Sequence, residues 1–266
     1  MTQPIFIVST GRTGTEFLSH FFREAGFNSL HEPGPFYLRH ISHAHATNNL
    51  SSNTAKRIIR RTRQHLYQGG NERYIESSCL IYGLVRPLLE EFPNSQVIQL
   101  VRDPRTYIRS AINWGAYRFM GRPLNLLPFR RLALPQYHPR SLPDRIQWIF
   151  WSQFDRLAWA WAAMNRSMRE QGQGNPRFHT IRFEDLFDNE TRYSGLQRLC
   201  EIAGTDIDRD FILEKARQPL NKAPIKRTTS WQHWPPEKLA RLSKLCNEEA
   251  THYGYELARE INDHCQ

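Results

Sequence analysis

The chain has 266 residues, of which 39% are hydrophobic. That is enough to bury one sizeable core, and we expect a single domain over residues 1–266. No apolar run approaches the ~20 residues of a membrane span. The start of the chain lacks the features of a secretory signal, so we expect a cytoplasmic location. The 4 cysteines are widely spaced and form no Cys-x-x-Cys pair, which argues against a zinc knuckle and a disulfide scaffold.

The formal net charge is +10, and it is unevenly distributed. Residues 33–71 and 104–143 contain no Asp or Glu but hold many of the arginines. A chain this basic tends to bind anions, among them nucleic acid, phosphorylated cofactors, acidic glycans and membrane surfaces. A solvated basic face is the ordinary structural alternative.

Strands and helices alternate in the first part of the predicted structure. Short apolar segments predict strands at residues 5–8, 28–30, 73–77 and 96–101. Helical spacing predicts helices that begin after Gly14, at the N-cap Asn53, at Leu80 and at the N-cap Asp103. The prolines and glycine of residues 31–35 predict a loop. This alternation favours right-handed βαβ units around a parallel sheet, with ligands at the carboxyl ends of the strands.

The second part begins with residues 115–143, which contain five prolines and no helical period. They predict a loop-rich insertion between core elements. A helix follows at 144–168, whose tryptophans we expect to pack in the core. Further elements are predicted as a strand at 178–183 and helices near 191–203, 208–217 and 235–253.

The turn after the first strand reads Ser9-Thr-Gly-Arg-Thr-Gly-Thr15. A glycine-rich turn between a strand and a helix points backbone N–H groups and the helix dipole at one spot, which favours phosphate or sulfate. The P-loop of nucleotide kinases needs GxxxxGK[ST]. This loop has a shorter spacing, no lysine and Glu16 in the first helical turn, which argues against a nucleoside triphosphate bound with magnesium.

This loop resembles the 5′-phosphosulfate loop of sulfotransferases. Val101-Arg-Asp-Pro-Arg105 with Ser110 resembles the 3′-phosphate motif of the same family. Two such motifs in the right order are far more specific than either one. Softer matches are Arg182-Phe-Glu-Asp-Leu186, at a strand end, and residues Arg227 to Trp231, at the place of a late basic loop.

The resemblance implies a fold, a donor and a set of residues that bind it. The fold is α/β, a three-layer α/β/α arrangement with a central, mostly parallel sheet like that of P-loop nucleotide-binding proteins. The donor is 3′-phosphoadenosine 5′-phosphosulfate (PAPS), which leaves as adenosine 3′,5′-bisphosphate (PAP), and no metal is required. The residues that bind it would be Gly11, Arg12, Thr13, Gly14, Thr15, Glu16, Arg102, Ser110 and Arg227.

His31-Glu32-Pro33 resembles the Glu-Pro pair that follows the second strand in Golgi carbohydrate sulfotransferases. The resemblance implies that Glu32 is the general base, with His31 as the rival candidate. It also implies that Arg12 stabilises the negative charge that develops on the leaving group. Glu76, with Ser77 and Ser78, ends a predicted strand and either lines the acceptor site or has a plain structural role. Three nearby histidines, at 40, 43 and 45, raise the question of a metal site. The sequence shows no companion cysteine or carboxylate pattern for such a site.

The sequence therefore predicts a sulfotransferase that moves a sulfuryl group to the hydroxyl of a carbohydrate, a lipid or another small molecule by in-line displacement. One alternative is a small-molecule kinase with a degenerate P-loop. Another is a non-enzymatic basic module that binds anions or nucleic acid. The chain shows no RNA-binding motif and no recognition-helix signature, so we expect no nucleic-acid partner.

Overall fold

A computed structural model describes residues 3–67, 73–116, 146–148, 150–218 and 229–257. The chain divides into two compact units. The first comprises Met1–Arg102 and Ser167–Asn221, and the second comprises Asp103–Arg166 and Lys222–Gln266. The single domain stays a prediction, and residues 117–143 of the predicted insertion lie outside the described residues.

The first unit is built on a sheet of five parallel strands. The strands are β1 (Ile5–Ser9), β2 (Asn28–His31), β3 (Tyr74–Ser78), β4 (Gln96–Val101) and β5 (Phe178–Arg182). Their order is β2-β3-β1-β4-β5, with every pair parallel. All residues of the central strand β1 are buried, as its unbroken apolar run predicts for a strand covered on both faces. The parallel sheet is confirmed.

In the part of the chain that the structure describes, the helices of eight residues or more are α1 (Thr15–Glu24), α2 (Leu38–Ala46), α3 (Ser52–Thr62), α5 (Pro104–Trp114), α6 (Gln153–Gly172), α8 (Arg192–Ile202), α9 (Arg209–Arg217) and α10 (Pro236–His252). The shorter ones are α4 (Val85–Glu91) and α7 (Phe183–Phe187).

Two of these helices, α2 and α7, are absent from the sequence predictions. The helix predicted at 80–92 is wrong in its first turns, where a 3₁₀ turn at Tyr82–Leu84 precedes α4. The N-cap of α3 is Ser51, whose hydroxyl accepts the N–H of Thr54, rather than Asn53.

Both faces of the sheet are covered within the first unit. Along β1 successive side chains point to opposite faces. Ile7 packs on one face in a buried cluster with Phe22 of α1 and Leu196 of α8. Phe6 points to the other face, where its ring centroid lies 5.5 Å from that of Phe92, the residue after α4. The three-layer α/β/α fold is therefore confirmed.

The second unit holds the tryptophans predicted to pack. Trp161 of α6 is fully buried, and its ring meets that of Tyr253 edge-on at 6.4 Å between centroids. Tyr253 donates hydrogen bonds to the carboxylate of Glu249 and to the carbonyl of Asn165. Among the described residues, no helix combines the length and the apolar character needed to cross a membrane.

A buried ion pair lies on the face of the sheet that carries Phe6. Arg63 donates to both carboxylate oxygens of Glu76, over 2.8 Å and 2.5 Å, and the hydroxyl of Tyr74 donates to the same carboxylate. Burial alone lowers the pKa of Arg63, but the charge and hydrogen bonds of Glu76 outweigh it and leave that pKa raised. Glu76 is therefore a structural carboxylate, and the alternative that it lines the acceptor site is wrong.

We predict that Arg63→Met destabilises the fold by about 3–5 kcal/mol, because it leaves the carboxylate of Glu76 buried without a partner. Lys56→Met is the control, since Lys56 of α3 forms a partly exposed pair with Glu90 and its removal should change the stability little. Urea unfolding followed by circular dichroism measures both. Adding Glu76→Leu to Arg63→Met should recover much of the loss. Equal small losses for Arg63→Met and Lys56→Met would contradict the prediction.

Candidate functional site

The glycine loop spans the six residues from Ser9, the last residue of β1, to Gly14, just before α1. Gly11 and Gly14 adopt φ of +82° and +79°, a region that glycine enters without strain. Arg12 between them has φ of +56°, which is uncommon for a residue with a side chain. The Ser9 hydroxyl accepts the N–H of Gly11 at 3.0 Å and fixes the start of the turn. The loop is therefore a defined and partly strained backbone structure.

This loop leaves hydrogen-bond donors available at the start of α1. Among the described residues no side chain caps α1, and its first helical bond runs from the N–H of Leu18 to the carbonyl of Gly14. The amides at 15–17 precede that bond and have no intrahelical acceptor. Among the residues that the structure describes, the buried hydroxyl of Thr13 has no hydrogen-bond partner. Glu16 is exposed. An oxyanion fits this arrangement, because it accepts such donors and is favoured by the helix dipole.

Arg102 follows β4 and contacts this loop. Its Nη1 donates to the carbonyl of Arg12 at 2.7 Å. Its guanidinium lies 4.0 Å from the ring centroid of Phe183, the first residue of α7. The other end of that helix carries Phe187, whose ring stacks on Phe183 at 4.4 Å between centroids. The structure therefore brings Arg102 to the glycine loop and supports it with the aromatic side chains that follow β5.

Phe187 also explains why residue 14 is a glycine. A Cβ on Gly14 would lie 2.2 Å from the ring of Phe187, closer than any real contact. Phe187 in turn meets Phe17 of α1 edge-on, at 5.4 Å between centroids. The first turn of α1 is thus packed directly on α7, and only a residue without a side chain fits between them.

Glu32 follows β2 and is the second strained residue of the site. Its φ of +47° places a residue with a side chain in the left-handed region. Its N–H donates to the carbonyl of Ser77 in β3 at 2.9 Å. His31 places Nδ1 at 3.1 Å from the same carbonyl, and because a carbonyl only accepts, we assign the proton to Nδ1. That tautomer leaves Nε2 as an acceptor, so His31 also keeps the chemistry of a base.

Ser77 and Cys79, at the end of β3, connect Glu32 to the glycine loop. The hydroxyl of Ser77 donates to the carbonyl of Thr15 at 2.8 Å. The thiol of Cys79 donates to Oε1 of Glu32 at 2.9 Å, and a Cβ on Gly11 would lie 3.6 Å from that sulfur. Sequence reasoning noted Ser77 only beside Glu76 and gave Cys79 no role in the site. Their position at the carboxyl end of a strand adjacent to β1 is the signal that could have identified them.

Ser110 and Arg227 are the remaining residues that the sequence predicts to bind PAPS. Ser110 lies in α5, which belongs to the second unit. The N-cap of this helix is Asp103, whose side chain accepts the N–H of Arg105 at 2.7 Å. Within that unit the guanidinium of Arg105 lies 4.3 Å from the ring centroid of Trp231. Arg227 lies outside the described residues.

Two of the three histidines of α2 have hydrogen-bonding roles. His45 is buried, with Nδ1 at 2.6 Å from the carbonyl of Gly83 and Nε2 at 3.0 Å from the hydroxyl of Ser52. His43 places Nδ1 at 3.3 Å from the hydroxyl of Tyr82. Within the described ranges, no three His, Cys, Asp or Glu side chains are grouped in a way that could hold a metal ion.

A polar cavity of about 530 Å³ opens in the first unit where α2 leads into α3. Residues 48–52, Arg86 and Glu170 contribute to its lining. Neither the glycine loop, Glu32 nor Arg102 lines it, so we do not assign it to the predicted site.

We predict that Gly14→Ala destabilises the protein more than Gly26→Ala. Gly26 has a similar φ of +87° but open space around its Cα, so the control measures backbone strain alone, about 1–2 kcal/mol. Gly14→Ala adds the collision with Phe187. Urea unfolding gives both free energies, and equal losses would mean that the loop and α7 separate at little cost.

Comparisons with known proteins agree with this architecture. The sequence model of the sulfotransferase family matches residues 19–209, a range that includes Glu32, Arg102 and Ser110 but begins after the glycine loop. No curated protein gives a significant match.

The chain is similar to solved structures of sulfotransferases at low sequence identity. The sulfotransferase domain from the Synechococcus PCC 7002 olefin synthase has a TM-score of 0.51 at 17% identity, covering 96% of this chain and 96% of that one. Mouse sulfotransferase SULT7A1, complexed with PAP, has a TM-score of 0.49 at 14% identity, covering 98% of this chain and 88% of that one. The sulfotransferase domain from the curacin biosynthetic pathway has a TM-score of 0.46 at 20% identity, covering 82% of this chain and 79% of that one. With the family model matching well over half of its residues, the chain belongs to the sulfotransferase family.

Proposed function

We propose that this sulfotransferase moves a sulfuryl group from PAPS to the hydroxyl of a small-molecule or carbohydrate acceptor, with Glu32 as the general base. The observation that carries the proposal is the strained backbone at Arg12 and Glu32. Among the described residues, only Arg12, Glu32 and Asn48 combine a side chain with positive φ, and asparagine tolerates that region. Such strain clusters at functional sites. Both strained residues belong to segments that meet at the end of β3.

The donor-binding part of the proposal rests on the glycine loop. Within the described part of the chain, no side chain caps α1 and the buried hydroxyl of Thr13 has no hydrogen-bond partner, so the first amides of α1 and this hydroxyl suit the 5′-phosphosulfate end of PAPS. Arg102, which contacts the loop, would bind the 3′-phosphate through charge-assisted hydrogen bonds. Ser110 and Arg227 complete that site in the proposal. When bound, PAPS supplies an activated sulfuryl group, and the family resemblance implies no metal.

Three side chains near the loop have proposed roles in the transfer. Arg12 is exposed in the loop, where its guanidinium would neutralise charge that develops on the 5′-phosphate. Glu32 would accept the proton of the acceptor hydroxyl. His31 is the rival base, since its Nδ1 faces the carbonyl of Ser77 and its Nε2 keeps a lone pair.

The acceptor is proposed as a class and not as a compound. A carbohydrate, a lipid or another small molecule with a hydroxyl meets the requirement, and nucleic acid is not expected. The cytoplasmic location also stays a prediction from the sequence.

The donor is tested by thermal shift. We expect PAP without metal to stabilise the protein, by about 2.7 kcal/mol at 100 times its dissociation constant. Adenosine 5′-monophosphate, which lacks the 3′-phosphate, should stabilise it less. Arg102→Ala should abolish most of the difference in stabilisation between the two nucleotides, because the proposed ion pair of Arg102 needs the 3′-phosphate. Stabilisation by ATP with magnesium but not by PAP would favour the kinase alternative.

The base is tested by paired substitutions. Glu32→Gln keeps the shape of the side chain and removes its basicity, so it should lower the transfer rate about 10²- to 10⁴-fold. Its thermal unfolding and its affinity for PAP should remain near those of the parent. His31→Asn is measured alongside, with transfer of radiolabelled sulfate to a panel of hydroxyl acceptors as the assay. An inactive His31→Asn beside an active Glu32→Gln would reassign the base to His31.

A further inference from the structure

We propose that Cys79 is a positioning residue that holds the carboxylate of Glu32 beside the glycine loop through a thiol hydrogen bond. The inference rests on the proposed role of Glu32 and adds a residue that the sequence motifs do not contain. Cys79 follows the last residue of β3, between the segment that carries Glu32 and the loop that carries Gly11.

The contacts of the side chain define this position. Sγ of Cys79 donates to Oε1 of Glu32 over 2.9 Å. On its other side the sulfur and Cβ both lie 3.6 Å from where a Cβ on Gly11 would stand, which is ordinary van der Waals contact. A larger side chain at 79 would therefore displace either the loop or the carboxylate, and a smaller one would leave the carboxylate without its tether.

The thiol is protonated under ordinary conditions, as a donor must be. Burial raises the pKa of the Cys79 thiol, the negative charge of Glu32 raises it further, and the positive charge of Arg39 offsets only a part. A protonated thiol offers one weak donor. It occupies Oε1 of Glu32, and no described residue donates to Oε2. The second oxygen is thus left to accept a proton from the acceptor.

The tether complements the backbone at Glu32. The hydrogen bond from its N–H to the carbonyl of Ser77 fixes the strained main chain, but it does not fix the side-chain torsions. Immobilising a flexible carboxylate in a reactive orientation increases the rate, because small misplacements of a catalytic group are costly. The thiol is the described side chain that supplies this restraint.

The kinetic test compares three variants. Cys79→Ala removes the donor and should lower kcat about 10- to 100-fold, with the KM for PAPS and the thermal unfolding little changed. Cys79→Ser keeps a donor of similar size and should retain most of kcat. Cys200→Ala removes a buried thiol of α8 and should keep kcat. Unchanged kcat in Cys79→Ala, or equal losses in the alanine and serine variants, would overturn the proposal.

A spectroscopic test separates this inference from the proposed function. The S–H stretching band, assigned by subtracting the infrared spectrum of Cys79→Ser, should lie at low frequency in the parent and move to higher frequency in Glu32→Gln, where the acceptor is no longer a carboxylate. A band that does not move would overturn the positioning role. A band that moves in a protein that transfers no sulfate would leave the tether intact and defeat the proposed function instead.

Discussion

The arrangement of the candidate site depends on the hydrogen bonds of Ser77 in β3. Its hydroxyl donates a hydrogen bond to the carbonyl of Thr15, and its own carbonyl accepts one from the N–H of Glu32. Ser77 is fully buried, so water does not compete for these bonds. Because Ser77 lies in a strand paired with β1 on one side and β2 on the other, its position is fixed by the sheet itself. The glycine loop and the proposed base therefore share one support.

The strand order explains which residues reach the loop. β1 is the middle strand, with β3 on one side and β4 on the other. Because all strands are parallel, the segments after β3 and β4 leave the sheet at the edge where the glycine loop begins. One neighbour supplies Cys79, with its contact to Glu32, and the other supplies Arg102, with its contact to Arg12. This is the general location of ligand sites in open parallel sheets.

The sequence predicted the features that depend on local pattern and missed those that depend on packing. The buried strands, the parallel sheet and the glycine turn follow from apolar runs and glycine positions, and they are confirmed. α7 was missed because five residues carry too little periodicity, although its phenylalanines touch both Gly14 and Arg102. Cys79 was missed because a lone cysteine has no motif. Glu76 could not be distinguished from a site residue, since only the fold reveals that Arg63 neutralises it.

The chemistry of the residues between Glu32 and the loop also fits an anionic donor. The uncapped start of α1, Arg12 and Arg102 all favour negative charge at the loop, whereas the carboxylate of Glu32 opposes it. An ionised side chain at position 79 would either cancel the charge of Glu32 or add to the repulsion. A protonated thiol does neither, because it is neutral and fills the space between the carboxylate and Gly11. In the proposed mechanism, Glu32 can thus stay close enough to serve the acceptor hydroxyl without an ionised side chain at position 79 that would pair with it permanently.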